Sequence, residues 1–378
     1  MNNELCRMTG AEFPLFAFSH CRDVVAAVSR AGGFGVLGGS GFTPESLKVE
    51  LDWIDSQLDG QPYGIDILIP ENMGASPELT DAEIAELVPA THVDFTIRLL
   101  EKYGVKLDRA NAVRTERPTV MPEIGEQLLD VAFQHPIRLV ANALGIAPQS
   151  MIDRARAAGI PCAALVGAKE HALRQVAAGV DIIVAQGTEA GGHCGEVTTL
   201  VLVPEVIRAI QDVRPVPVVA AGGIMTGQQM AGAMAMGAQG VWTGSVWLAT
   251  TESETAQSFR EKMVEATSRD TIRSKARTGK PSRQLRSAWH DAWEGPDSPG
   301  SLPLPIMPML SQPALTRVDR AADAGSKLAR ELVTYFVGQG VGLVTGISSA
   351  TAVVQRFKEE FAEGVGDLLA ALEEPENG

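Results

Sequence analysis

One run of ten residues, Gln186-Gly187-Thr188-Glu189-Ala190-Gly191-Gly192-His193-Cys194-Gly195, concentrates the side chains most able to do chemistry together. Its four glycines let the backbone fold closely over a flat ligand. His193 is the candidate catalytic residue, because an imidazole exchanges protons near neutral pH with little tuning. Cys194 has no identifiable base beside it and reads as a small packing residue rather than a nucleophile. Gln186 either hydrogen-bonds a ring system or caps the end of a strand. His20, His92, His135, His171 and His290 stand alone and read as ordinary surface or core histidines.

Two further glycine motifs fit an anion. In Val218-Val219-Ala220-Ala221-Gly222-Gly223-Ile224 the glycines end an apolar run, and Thr226 is placed to cap the helix that follows. A helix N-terminus there offers N–H groups and a positive dipole. About twenty residues on, Thr243, Gly244 and Ser245 end the next apolar run. Successive loops of this kind make a phosphate cradle in barrels. Asp66, inside another apolar run, is either a ligand contact or a buried acid paired elsewhere. Arg273, Lys275, Arg277, Lys280, Arg283 and Arg286 could contact an anionic substrate, but read first as a solvated basic face. The literal GxGxxG at Gly33–Gly38 closes a helical stretch and opens an apolar run, the reverse of a dinucleotide fingerprint.

The elements that must position these groups recur in one rhythm. Eight continuous apolar runs read as strands: Phe13–Phe18, Phe34–Leu37, Tyr63–Ile69, Ile137–Ala143, Pro161–Val166, Asp181–Gln186, Val216–Ala221 and Gly240–Thr243. Unbroken runs suit parallel strands buried on both faces. Helical stretches lie between them, several starting at Thr (Thr43-Pro44-Glu45, Thr226 with Gln229, Thr251 with Glu254) and several ending in Ala-Gly. Eight such units predict an α/β fold, a (β/α)₈ TIM barrel over residues 1–250. Pro70–His135 is expected as a helical insertion between the third and fourth strands, with helices over Asp81–Tyr103 and Glu123–Phe133. After the eighth strand, 251–346 reads as a helical and Pro-rich lid, and six prolines in Gly295–Pro313 predict no regular structure there. A last helix, Ala350–Leu372, is expected to return to the barrel within 347–378.

Composition narrows the function classes. Forty-six acidic against 32 basic residues give a net charge of −14, which disfavours nucleic acid and anionic membranes as partners. The uncharged stretch Pro215–Thr251 is broken by seven glycines and reads as a buried α/β segment, not a membrane span. Cys6, Cys21, Cys162 and Cys194 have neither disulfide-framework nor zinc spacing, so no metal is expected. Reduced thiols and an N-terminus without an apolar core point to the cytoplasm. A small-molecule substrate is expected, and a homo-oligomer is left open.

The motifs AAVSRAGGFGVLGG, VAQGTEAGGHCG, VPVVAAGGI and VWTGSVWLATTES, followed by TGKPSRQLR and VGQGVGL, resemble the nitronate monooxygenase family over most of the chain. The resemblance implies an FMN-binding barrel with a helical second domain. It implies that His193 is the active-site base or hydrogen-bond donor beside the flavin. Gln186, Gly191 and Gly192 would lie along the ring and ribityl chain, Gly222, Gly223, Gly244 and Ser245 would hold the phosphate, and Thr243 is a further expected cofactor-binding residue. Ala17, Phe18 and Ser19 stand where the family's first strand ends QAPM, and Asp66 where it commonly has a flavin-contacting Asn. The activity implied is oxidation of an alkyl nitronate with O₂ to a carbonyl compound and nitrite. Alternatives on the same barrel are an NAD(P)H-dependent flavin reductase of a quinone, enoyl thioester or CoA-linked substrate, and a barrel retaining FMN without turnover. A flavin-free enzyme resembling inosine-monophosphate dehydrogenase would instead form an adduct at Cys194.

Overall fold

The computed structural model describes residues 1–69, 81–114 and 122–372. Eight strands lie within the eight apolar runs or extend them by one residue: β1 (Leu15–Ser19), β2 (Phe34–Gly38), β3 (Tyr63–Asp66), β4 (Val140–Asn142), β5 (Cys162–Val166), β6 (Ile182–Gln186), β7 (Val218–Ala221) and β8 (Gly240–Thr243). They close into a barrel in chain order, each neighbouring pair parallel, with β8 returning to β1. The fold is a (β/α)₈ TIM barrel.

Alternation along the strands splits the buried side chains into two layers. Phe16, Phe34, Val36, Leu139, Val184, Val219 and Trp242 fill the barrel interior. Leu15, Ala17, Leu37, Ile65, Ile183 and Val241 pack outward against the helices. Leu5, on the short helix α1 (Glu4–Thr9), joins the interior layer from the N-terminal end. The glycines of the GxGxxG sequence serve packing: a Cβ on Gly35 would lie 2.4 Å from Val25 O of the preceding helix α2 (Arg22–Arg30).

The outer ring continues with α3 (Pro44–Gln57), then α6 (Pro122–Ala132), α7 (Gln149–Ala158), α8 (Lys169–Ala178), α9 (Thr199–Gln211) and α10 (Gly227–Ala235). Within the stretch 70–135, residues 70–80 and 115–121 lie outside the described residues. The expected Asp81–Tyr103 helix is two, α4 (Asp81–Glu86) and α5 (Ala90–Lys102), parted at Pro89, whose ring cannot continue the first. Their roles in the stretch differ. Helix α6 packs on α3 in the barrel wall, whereas Val93, Leu99 and Leu100 of α5 share a second apolar cluster with residues that follow β8.

That second cluster is built from α11 (Gln257–Glu265), α12 (Ala288–Trp293), α13 (Ile306–Asp323) and α14 (Lys327–Leu332), beside an antiparallel pair, β9 (Thr271–Ser274) with β10 (Ser282–Leu285). Two sequence expectations fail here. Thr251 and Glu254 cap no helix, since α11 starts later at Gln257. The Pro-rich segment is helical from Ile306 onward. Pro308 falls in the first turn, where no N–H is needed. Pro313 deprives Met309 O of its helical donor, and Arg114 N–H fills that acceptor at 2.8 Å. The chain leaves the barrel after Thr250 and comes back at Ser348, the two residues pairing as a parallel bridge. It then forms α15 (Ala350–Ala370), which packs against α10 and α2 and so completes the ring. Among the described residues no helix is long and apolar enough to cross a membrane.

Candidate active site

The C-terminal rim of the barrel collects most of the candidate residues because inward positions recur every second residue. Phe18, Asp66 and Gln186 stand one pleat beyond the interior residues Phe16, Gly64 and Val184, and Trp242 stands near the end of β8. Phe18 packs near Trp242, ring centroids 6.4 Å apart. Trp242 belongs to this opening, although only its motif drew notice in the sequence. Ala17 and Thr243 fall on the other side of the pleat. Ala17 packs in the outer layer, and Thr243 Oγ1 donates to Phe16 O and accepts from Trp247 Nε1. Only their backbones border the opening. Ser19 Oγ accepts from Cys21 N, ahead of α2.

The loops after β7 and β8 form a donor-rich cradle. Gly222 and Gly223 have φ of 102° and 74°, conformations that L-residues rarely adopt. Their Cβ atoms would press on Gly187 O at 2.9 Å and Glu189 Cβ at 3.0 Å. Gly244 faces open space: a Cβ there would meet no atom within 4 Å. Among the described residues no group accepts from the N–H of Gly223, Ile224, Gly244 or Ser245. Four unpaired amides on adjacent rims suit a phosphate. The α10 N-terminus, expected to share this role, is already occupied. Gly227 N donates to Glu360 of α15, Gln229 N to Thr226, and Met225 N to Gln229 Oε1. Helix α15 covers that end, so the cradle is made by the loops. Ser245 Oγ is also engaged, accepting from Gly338 N at 2.8 Å.

The loop after β6 is fastened on both sides. Glu189 accepts from Thr199 N and Oγ1, satisfying donors at the start of α9. Gly191 lies so close to Gly338 that a Cβ would sit 2.8 Å from its N. Gly192 exchanges two backbone hydrogen bonds with Arg283 of β10. The expectation of a solvated basic face is overturned for three members of its cluster. Arg283 donates to Thr188 O, Arg273 to Cys194 O, and Arg277 to Thr334 O while stacking on Tyr335 and Phe336. Arg273 and Arg283 sit directly opposite on β9 and β10, and carbonyls of the β6 loop take up both guanidinium groups. Lys275, Lys280 and Arg286 stay exposed.

His193 rests on the turn between β9 and β10. Its Nε2 is 2.9 Å from Thr278 Oγ1. That hydroxyl donates its single proton to Lys280 O, so Nε2 is assigned as the protonated nitrogen and Nδ1 keeps the lone pair. His193 remains solvent-exposed, but partial desolvation of its ring lowers the imidazole pKa below its ordinary value, and the nearby charge of Lys280 lowers it further. The ring is therefore a neutral base at pH 7. Thr278 was missed in the sequence, where the Thr278-Gly279-Lys280 turn was its only signal. Cys194 donates to Thr188 O, and burial raises its thiol pKa, which fits packing and not nucleophilic attack.

A family model described as nitronate monooxygenase matches residues 16–360. The chain belongs to the nitronate monooxygenase family. It is accordingly an oxidoreductase, and flavin dependence is implied by that membership. A Mycobacterium tuberculosis protein described as a monooxygenase, Rv1533, is 50% identical over 377 residues, covering 99% of this chain and 100% of its own. A Staphylococcus aureus protein described as a nitronate monooxygenase is 27% identical, over 91% of this chain and 93% of its own. Among solved structures, nitroalkane oxidase from Streptomyces ansochromogenes superposes with a TM-score of 0.79 at 26% identity, covering 97% of this chain and all of its own. FabK from Thermotoga maritima gives 0.71 at 26% identity, over 98% and 100%. The rim offers unpaired amides on two neighbouring loops, open space at Gly244, and a buried carboxyl oxygen without a partner at Asp66.

Proposed function

We propose that the chain binds FMN at the barrel mouth and oxidises an alkyl nitronate with O₂ to a carbonyl compound and nitrite. The observation that carries this reading is the pairing of four unpaired amides on two adjacent rims with a neutral, Thr278-held imidazole on the next loop. Bound flavin supplies the acceptor for the substrate's electrons. The amides of Gly223, Ile224, Gly244 and Ser245 would hold its phosphate, and Phe18, Asp66, Gln186, Gly191 and Gly192 would border its ring and chain.

The protein's own groups then have separate tasks. His193 orients the anion, or takes the α-proton of a neutral nitroalkane at Nδ1. Thr278 fixes the ring, so the base does not turn away when empty. Lys280, near His193, favours an anionic substrate at the same opening. The hairpin of β9 and β10 bridges the β6 loop and narrows access for water. Four free cysteines suit the cytoplasm.

The test is the absorbance spectrum of the purified protein with anaerobic titrations. A flavin spectrum bleached by a nitronate, with nitrite released on adding O₂, is expected. Bleaching by NADH or NADPH, without nitrite from nitronates, would replace this reading with the flavin reductase.

A further inference from the structure

Asp66 is the one acid of the described rim that the fold leaves unsatisfied. It ends β3, is 3% exposed, and its Oδ1 is buried without a hydrogen-bond partner. Its neighbours across the sheet are Gly38 on β2 and Ala141 on β4, and neither has a polar side chain. The titratable group on the β2 side is His20, which bonds Gly38 O through Nδ1, and whose own pKa is lowered by desolvation. Ser40, after β2, bonds Leu68 N. Asn142, at the end of β4, bonds Ile69 N and Leu144 O. His193 and Lys280 lie on the loops after β6 and β9. No charged group among the described residues acts on Asp66, and burial alone raises its pKa to about 7.

A buried carboxylate with no cation and no donor is costly, whereas a neutral acid is a donor and an acceptor side by side. The pyrimidine edge of an isoalloxazine is the complementary pair, an N–H flanked by carbonyls. An ionised Asp66 could accept from that N–H, but it would face the adjacent carbonyl with a repelling charge. We propose that Asp66 binds the flavin as a neutral carboxylic acid, accepting from the ring N–H and donating to a ring carbonyl, so that FMN uptake is linked to a proton. The inference rests on the FMN reading above and adds to it the protonation state that the site selects.

The experiment is fluorescence titration of the full-length apoprotein with FMN between pH 6 and pH 9, for wild type and Asp66→Asn. The amide keeps the donor and acceptor and cannot ionise. Ionisation of the FMN phosphate affects both proteins alike, so the ratio of their Kd values isolates Asp66. At pH 6 the two should bind within about threefold of each other. Above the titration of Asp66 the wild-type Kd should rise relative to the variant, roughly tenfold per pH unit and about 100-fold by pH 9. A ratio that stays flat, or that falls as pH rises, overturns the proposal. Infrared difference spectra of the wild type give a second measurement should the variant fail to fold. A protonated-carboxyl C=O band should persist to higher pH with FMN bound, and a band that vanishes on FMN addition refutes the neutral acid. Folded wild type and variant that both ignore FMN at every pH would bring down the cofactor reading itself, a result distinct from a flat ratio.

Discussion

Gly244 and Gly223 sit on the same cradle, yet a methyl group on each has opposite consequences. At Gly244, φ is −125° and a Cβ would meet nothing within 4 Å, so Gly244→Ala leaves folding within about 0.5 kcal/mol of wild type. The methyl instead stands in the space proposed for the phosphate. A hydrogen bond to a charged group is worth about 1.5–3 kcal/mol, so losing one weakens FMN binding roughly 10- to 150-fold. At Gly223, φ is 74° and the new Cβ lies 3.0 Å from Glu189 Cβ. Gly223→Ala therefore costs folding about 1–2 kcal/mol from backbone conformation alone, lowering Tm by a few degrees. The assay pairs thermal melting of the apoproteins with FMN fluorescence titration. Gly244→Ala should keep its Tm and lose affinity, and Gly223→Ala should lose Tm. A Gly244→Ala protein that melts normally and binds FMN normally would refute the cradle.

Other perturbations separate the remaining roles. His193→Asn should bind FMN normally and lower turnover of a neutral nitroalkane about 10²- to 10⁴-fold, measured as nitrite release. Wild-type activity on that substrate should fall as pH drops through the His193 pKa, which lies below 6.5, because only the neutral ring accepts a proton. Lys280→Met removes one cause of the lowered value, so this acid limb should move to higher pH in the kcat/KM profile. In the apoprotein, the folded-state pKa of Asp66 is raised, so its neutral form's contribution is complete below the ordinary 3.8 and is lost as pH rises to about 7. Asp66→Asn should therefore gain on wild type in thermal melts from pH 4 to pH 7, by at most about 4 kcal/mol. Arg283→Met strips Thr188 O of a buried donor, and faster hydrogen exchange across 187–195 should report a loss of about 1.5–3 kcal/mol.

The barrel was legible because its evidence is local. Continuous apolar runs, glycines such as Gly179 and Gly237 after helices, and Thr43 and Thr226 at helix starts each carry their meaning within a few residues. The placement of His193 and of the two glycine loops at strand ends was legible for the same reason. Thr278 was not, because its partner lies 85 residues away and a lone Thr has no pattern. The engaged N-terminus of α10 was hidden likewise: Glu360 comes from the last helix, and no spacing in the sequence joins it to Gly227. The helix through Pro308 and Pro313 was misread because composition cannot show that Arg114 serves the carbonyl Pro313 leaves open. The arginines were misread because a cluster of charge does not reveal which carbonyls surround it.

The bridge between Thr250 and Ser348 has a bearing on how the chain is laid out. Everything from Thr251 to Ile347 makes a round trip and returns to a Ser348 O that accepts from Thr251 N at 3.0 Å. The excursion thus begins and ends at one point of the barrel wall, while α5 and the bond from Arg114 N–H to Met309 O tie it to the stretch between β3 and β4. The turn that holds His193 and the loops that carry the unpaired amides belong to different stretches of one polypeptide.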